Sequence, residues 1–350
     1  MEISTPGRIC LFGEHLDYLG LPVIAMAISL RMSIKGTFRS DNIIKVDMPD
    51  INEMKVFCLD ELNSKDKDYF KSGLKTCKKA GLNFSRGMNC QIKSDIPISA
   101  GTSSSSAMNV GWINFLSKMA DKPFKLNPNQ IAEMAYQAEV EEFNESGGMM
   151  DQYSTALGQI IYLKPSPSIK LEKLDVSLGT FVLGDSCEPK STQEVLMKCK
   201  DIQKQVLKKV KEQNNDFSLL KNKQALDLTS LNRKEKNIFE CVTSNVNILN
   251  QAHREMKRKE PKRELIGKLL LKHHNNLKSA LEISTPKIEL MLDAAMNVGA
   301  LGGKINGSGG GGCMFAYAPD NPEKVAGAIR NVGGKAYIVK ADNGTKQIKG

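Results

Sequence analysis

A chain of 350 residues, 41% of them hydrophobic, is long enough for more than one core and by the usual size of domains reads as two domains. The net charge of +10 comes mainly from lysines in 201–287 that alternate with glutamates as on solvated helix faces, with few aromatics between them. That pattern argues against a nucleic-acid partner and leaves a bias towards small anions such as nucleotides. The eight cysteines form no Cys-x-x-Cys pair and read as core residues of a reducing compartment. No signal peptide or membrane-length apolar run is present, so a cytoplasmic protein without a membrane partner is expected.

In chain order, a short buried strand is expected at 9–12, with Arg8 at one end and the cluster Glu14-His15-x-Asp17 at the other. Such a cluster both donates and accepts hydrogen bonds, as a polyhydroxylated ligand requires; it is also what a charged turn after a strand looks like. From Ile28 the chain alternates, placing Ile28, Leu30, Met32 and Ile34 on one face of a half-buried strand. Weaker strand signals at 42–48 and 88–93 complete a mainly antiparallel sheet, and 59–81 reads as polar helix and loop.

The stretch 97–119 is the most informative. Met108, Trp112, Phe115, Leu116 and Met119 share one helical face, so a buried helix starts near Ser104. Gly101 and four consecutive serines precede or open it, placing hydroxyls and backbone N–H groups at the positive end of the helix dipole, where an anion is stabilised. A solvated serine-rich linker has the same composition. It is not a Walker A loop, since no lysine stands between Gly101 and Lys118.

A second helix fits 129–143 and ends among acids that include Glu139. Gly147-Gly148-Met149-Met150-Asp151-Gln152 follows, a glycine pair that admits close backbone approach next to one partly buried carboxylate. The segment 164–167, Lys-Pro-Ser-Pro, reads as a linker to the second domain, which has a strand at 179–183 and helices within 195–210, 238–256, 263–281 and 287–298. Five glycines in the six positions 307–312 lie tightly between an apolar helix and an apolar strand at 314–318, which points to a loop whose backbone passes close to something.

In their order and spacing these stretches resemble the GHMP kinases, and within that family the galactokinases. The carriers are Gly7-Arg8-Ile9-Cys10-Leu11-Phe12-Gly13-Glu14-His15-Leu16-Asp17-Tyr18, the serine loop at 97–107, the segment 148–152 and the glycine loop at 306–313. The resemblance implies a two-domain α+β fold. An N-terminal S5-like β/α domain would span 1–166 and a C-terminal ferredoxin-like α/β domain 167–350, with the active site between them. It also implies transfer of the γ-phosphate of ATP to a monosaccharide hydroxyl, foremost the anomeric hydroxyl of galactose or a related sugar. A uronic acid or a sugar phosphate, such as a heptose phosphate, is the alternative acceptor, and a catalytically silent sugar sensor the alternative from another class.

By the same resemblance, Gly101, Thr102, Ser103, Ser104, Ser105 and Ser106 cradle the ATP phosphates and Gly307, Gly309 and Gly310 close over them. Ser105 and Glu139 hold Mg2+, Asp151 is the base, Arg8 the fixed positive charge beside it, and Glu14, His15, Asp17 and Gly148 hold the sugar. The chain departs from the galactokinase pattern at Cys10, Ser99, Ala100 and Thr102, and lacks the tyrosine that follows the strand ending at Leu183. Lys190, in the loop after that strand, fits an anionic substrate.

Overall fold

A computed structural model describes residues 1–63, 67–98, 101–189, 191–214, 217–220 and 226–348, so Ser99, Ala100 and Lys190 lie outside the described residues. The first sheet is built on β1 (Glu2–Phe12) and β2 (Val23–Phe38), with β3 (Ile43–Met48), β4 (Glu53–Cys58) and β5 (Met88–Ser94) on one side in the order β1-β2-β5-β3-β4. Only β3 and β5 run parallel. The helices α1 (Tyr69–Lys79), α2 (Ser104–Met119), α3 (Pro128–Tyr136) and α4 (Met150–Leu157) follow. Trp112, Phe115, Leu116 and Met119 of α2 are buried together with Ile3, Val23, Met32 and Ile34 of the sheet. Next, β6 (Ile160–Lys164) pairs with the first half of β2 and β7 (Lys170–Leu174) pairs with β6.

That last pairing corrects the expected linker. Residues 165–169 connect β6 to β7 as a hairpin inside the first sheet, a turn that proline suits by its fixed backbone. We place the division between the two sheets after β7.

The strand expected at 9–12 is the end of an eleven-residue strand. Pro6 and Gly7 sit in an irregular pairing: Pro6 faces Arg31 and Arg8 faces Ala27, so Ile28, Ser29 and Leu30 stand opposite Gly7 alone. The irregularity also moves Ile28 to the other face from Met32 and Ile34, against the simple alternation. Glu and Lys interrupt β4 and β7, so neither carries a strand signal in the sequence.

The second sheet has the order β11-β8-β10-β9, all antiparallel, from β8 (Thr180–Asp185), β9 (Gly302–Ile305), β10 (Cys313–Tyr317) and β11 (Lys335–Lys340). Between β8 and β9 run α5 (Thr192–Gln213), α6 (Arg233–Met256), α7 (Arg263–Asn276) and α8 (Pro286–Asn297), and α9 (Pro322–Asn331) joins β10 to β11. Taking α8 and α9 as the two crossovers, this is a βαββαβ unit with extra helices inserted. Thr285 caps α8 and Pro286 opens it, as the sequence suggests. One face of this sheet packs on α8 and α9, while Phe181, Leu183, Phe315 and Tyr317 share a core with Ile9, Leu11, Ile24 and Met26 of the first sheet and with α6 and α7. β12 (Lys346–Gln347) returns to pair with β1. Among the described residues no helix is long and apolar enough to cross a membrane.

Candidate active site

One cavity draws on β1 and the turn after it, the N-termini of α2, α4 and α5, the segment 139–148 and the loop between β9 and β10. Arg8, Glu14, His15, Asp17, Gly101, Ser103, Ser104, Ser105, Ser106, Glu139, Gly148, Asp151 and Gly307, all singled out above, line it.

The charged centre is Arg8 and Asp151. The guanidinium grips the carboxylate with both prongs, Nε to Oδ1 at 2.7 Å and Nη2 to Oδ2 at 2.8 Å, and a third donor, Ser103 Oγ, reaches Oδ2 at 2.6 Å. Burial works against the Arg8 charge, but Asp151 and Glu14 outweigh it and hold the guanidinium above its ordinary pKa. Ser103 has φ of 59° and spends its hydroxyl on Asp151, so no side chain caps α2. The first-turn N–H groups of α2 are thereby left for an anion, with Ser104 and Ser105 open to the cavity.

Glu139 lies in a π turn (Gln137–Glu141) that continues α3 and is buried there. Burial pushes its carboxyl up to about 7, the Asp151 charge adds to this, and bonds from Gln152, Ser105 and Ser106 oppose it. An oxygen-only group of a buried carboxylate and two hydroxyls, with no cation paired to it among the described residues, fits a magnesium ion, which needs one or two protein ligands besides phosphate and water.

Asp17 lines the same cavity beside Gly148. A Cβ on Gly148 would lie 2.1 Å from Asp17 Oδ2, so only glycine lets that carboxylate occupy its place. Burial and then the Asp151 charge push Asp17 up to about 7, against the bond from the Tyr18 N–H. A carboxyl raised in this way holds a proton in the folded state that the unfolded chain has released between about pH 4 and 7, so its contribution to stability falls as pH rises through that window. Asp17 keeps one face on the cavity, which limits the effect to about 1–2 kcal/mol. We expect Asp17→Asn to flatten the decline in thermal stability of the ligand-free protein from pH 5 to 8; calorimetric melting curves that decline equally in both proteins would show that Asp17 titrates normally.

Glu14 and His15 line the cavity but are held by protein. Lys304 Nζ donates to Glu14 at 2.7 Å and to the Cys10 carbonyl at 2.9 Å in a fully buried ion pair, whose disruption from one side typically costs about 3–5 kcal/mol. His15 meets Tyr18 Oη at 2.8 Å through Nδ1 and the Ser308 carbonyl at 3.0 Å through Nε2. Three expected phosphate-loop residues lie outside the lining. Thr102 is buried with its hydroxyl on the Pro97 carbonyl, Gly309 packs against Ile283, and Gly310 donates to the Ile283 carbonyl. Gly307 does approach the serine loop: at φ of 77°, a Cβ there would come 2.8 Å from the Gly101 carbonyl oxygen.

Sequence reasoning missed Asn306 as a staple. It accepts from the Cys10 N–H at 2.9 Å and donates to the Gly101 carbonyl at 2.8 Å, tying the two loops to β1. Cys10 itself points into the core, so its departure from the galactokinase pattern does not reach the cavity. Lys304 carried a legible signal, a lone lysine in a short apolar strand.

Residues 68–159 match the GHMP kinases N terminal domain, 253–335 the GHMP kinases C terminal domain, and 2–36 the galactokinase galactose-binding signature. Mevalonate kinase of Pyrococcus furiosus is 30% identical over 96% of this chain and 95% of its own. The chain is a GHMP kinase. Galactokinase of Haemophilus influenzae is 26% identical over 99% of this kinase and 95% of its own length. Among solved structures, Lactococcus lactis galactokinase complexed with galactose superposes with a TM-score of 0.84 at 21% identity (99% and 95% covered), and Methanococcus jannaschii mevalonate kinase with 0.76 at 23% (98% of each). The kinase is therefore ATP-dependent and has the two-domain α+β fold of this family, as the motifs imply.

Proposed function

We propose that this kinase phosphorylates a hydroxyl of an uncharged monosaccharide, with the anomeric hydroxyl of galactose or a close relative as the leading candidate. The observation that carries this reading is the wall made by Asp17 and Gly148 facing Asp151. Arg8 is the only lysine or arginine lining the cavity among the described residues, and it is already paired. An acceptor with its own carboxylate or phosphate would meet Asp17 and Asp151 and no unpaired cation of the described lining, whereas sugar hydroxyls can donate to them. The galactose-binding signature over 2–36 supports the same reading.

In the reaction the acceptor oxygen bonds the γ-phosphorus of ATP, the bond from that phosphorus to the bridging oxygen breaks, and the hydroxyl proton passes to Asp151. Arg8 keeps Asp151 oriented and supplies fixed positive charge. The N-terminus of α2, with Ser104 and Ser105, receives the phosphates, in a reaction where positioning and charge neutralisation matter most. Ser105 and Glu139 would hold magnesium, which neutralises phosphate charge when bound. Glu139→Gln keeps the shape but removes the charge, and the magnesium concentration for half-maximal rate should rise by roughly tenfold or more. An unchanged magnesium titration at full activity would remove Glu139 from the site.

Mevalonate is the second reading, favoured by the 27–30% identity to mevalonate kinases over nearly the whole chain. ATP turnover measured with galactose, other neutral sugars, galacturonate, a heptose phosphate and mevalonate separates the readings. Turnover with mevalonate and none with sugars would overturn ours, and no turnover with any acceptor that nonetheless binds would favour a sensor.

A further inference from the structure

Gln152 is buried and lines the cavity next to Asp151. Its Nε2 donates to Glu139 Oε2 at 2.7 Å and stands 3.5 Å from Ser106 Oγ. The carboxylate thus fixes which end of the amide is nitrogen, since reversing the amide would set two acceptors against each other. Its other end, Oε1, is buried without a hydrogen-bond partner among the described residues. A buried amide oxygen left unpaired typically costs about 1–3 kcal/mol, so one on a residue that lines a ligand cavity is unusual unless something that binds there satisfies it.

We propose that Gln152 is a positioning residue of the magnesium site. It rests on the reading that Glu139 holds the ion. The Gln152 N–H occupies one oxygen of Glu139 and turns the other towards the ion, while Oε1 accepts from a water that the ion retains. Magnesium sheds water reluctantly and usually keeps several, so a site with few protein ligands needs acceptors for those waters. Groups that orient a ligand in this way matter nearly as much as the ligand itself, and their loss typically lowers metal affinity 10- to 100-fold. Asp151 is held by Arg8 and Ser103 rather than by Gln152, whose side-chain N–H goes to Glu139.

The test is Gln152→Met, of similar length but without donor or strong acceptor. Manganese affinity would be measured by electron paramagnetic resonance on the full chain with a non-hydrolysable ATP analogue, alongside Glu139→Gln. Melting temperatures with and without the metal–nucleotide give a second readout. We expect manganese to bind 10- to 100-fold more weakly in Gln152→Met, with the metal-dependent rise in melting temperature reduced and the metal-free affinity for the nucleotide analogue unchanged. A residue that merely supported the fold would lower the melting temperature of the free protein and leave the metal affinity alone. Should Gln152→Met not fold, Gln152→Asn, which withdraws the amide by one methylene, is expected to shift the affinity in the same direction. Wild-type manganese affinity in the folded Gln152 variant, with Glu139→Gln impaired, would overturn this inference and leave the metal site intact. Wild-type affinity in Glu139→Gln would overturn both.

Discussion

Asp151→Asn is expected to slow phosphoryl transfer by roughly a hundredfold to ten-thousandfold, the usual cost of losing a positioned general base, while ATP and acceptor still bind. The structure gives the substitution a second consequence. Both Asp151 oxygens accept from Arg8, and an asparagine there would turn one N–H group against the guanidinium. Arg8 would then lose the partner that outweighs its burial, and it also donates to the Gly101 carbonyl. Single-turnover rates at saturating substrates, together with calorimetric binding of each substrate, separate the two effects. Loss of the base alone lowers the rate with binding intact, whereas a displaced Arg8 disturbs the serine loop and weakens nucleotide binding as well. A loose transition state demands little nucleophile activation, so a kinase working by positioning alone would lose much less. Transfer at nearly the wild-type rate with normal binding would remove Asp151 as the base.

Asp17→Ala is expected to lower kcat/KM for the acceptor by roughly 10- to 150-fold, the loss of one or two charge-assisted hydrogen bonds, and to leave KM for ATP nearly unchanged. Asp17 lies against Gly148, and neither belongs to the serine loop at the N-terminus of α2, so its loss is expected to act on one substrate. Gly148→Ala approaches the same contact from the other side. Its methyl group would fall on Asp17 Oδ2, forcing the carboxylate aside while leaving its chemistry intact, and it should therefore also raise the acceptor KM selectively. Steady-state kinetics with each substrate varied in turn give the answer. Equal losses for ATP and acceptor would make Asp17 a structural residue of the turn after β1.

The sequence by itself determined the features that depend on local composition. The start of α2 at Ser104 follows from the apolar face of Trp112, Phe115, Leu116 and Met119, the cap of α8 from Thr285-Pro286, and the family from four motifs whose order no single one of them carries. What it could not contain were relations between residues far apart in the chain. Asn306 staples Cys10 to Gly101, Lys304 holds Glu14 across 290 positions, and Gly309 and Gly310 pack on Ile283 rather than over the cavity. Glycines at 307, 309 and 310 look alike in sequence and all take positive φ in the fold, and only the neighbour brought against each decides which one faces the serine loop. Residues 164–167 read as a linker because proline favours turns of either kind, and it took the pairing of β7 with β6 to make this one a hairpin. Local propensity fixes where an element begins and which side it buries. Long-range packing decides which buried polar groups meet, because a carboxylate or an amide without a partner costs too much to be left inside.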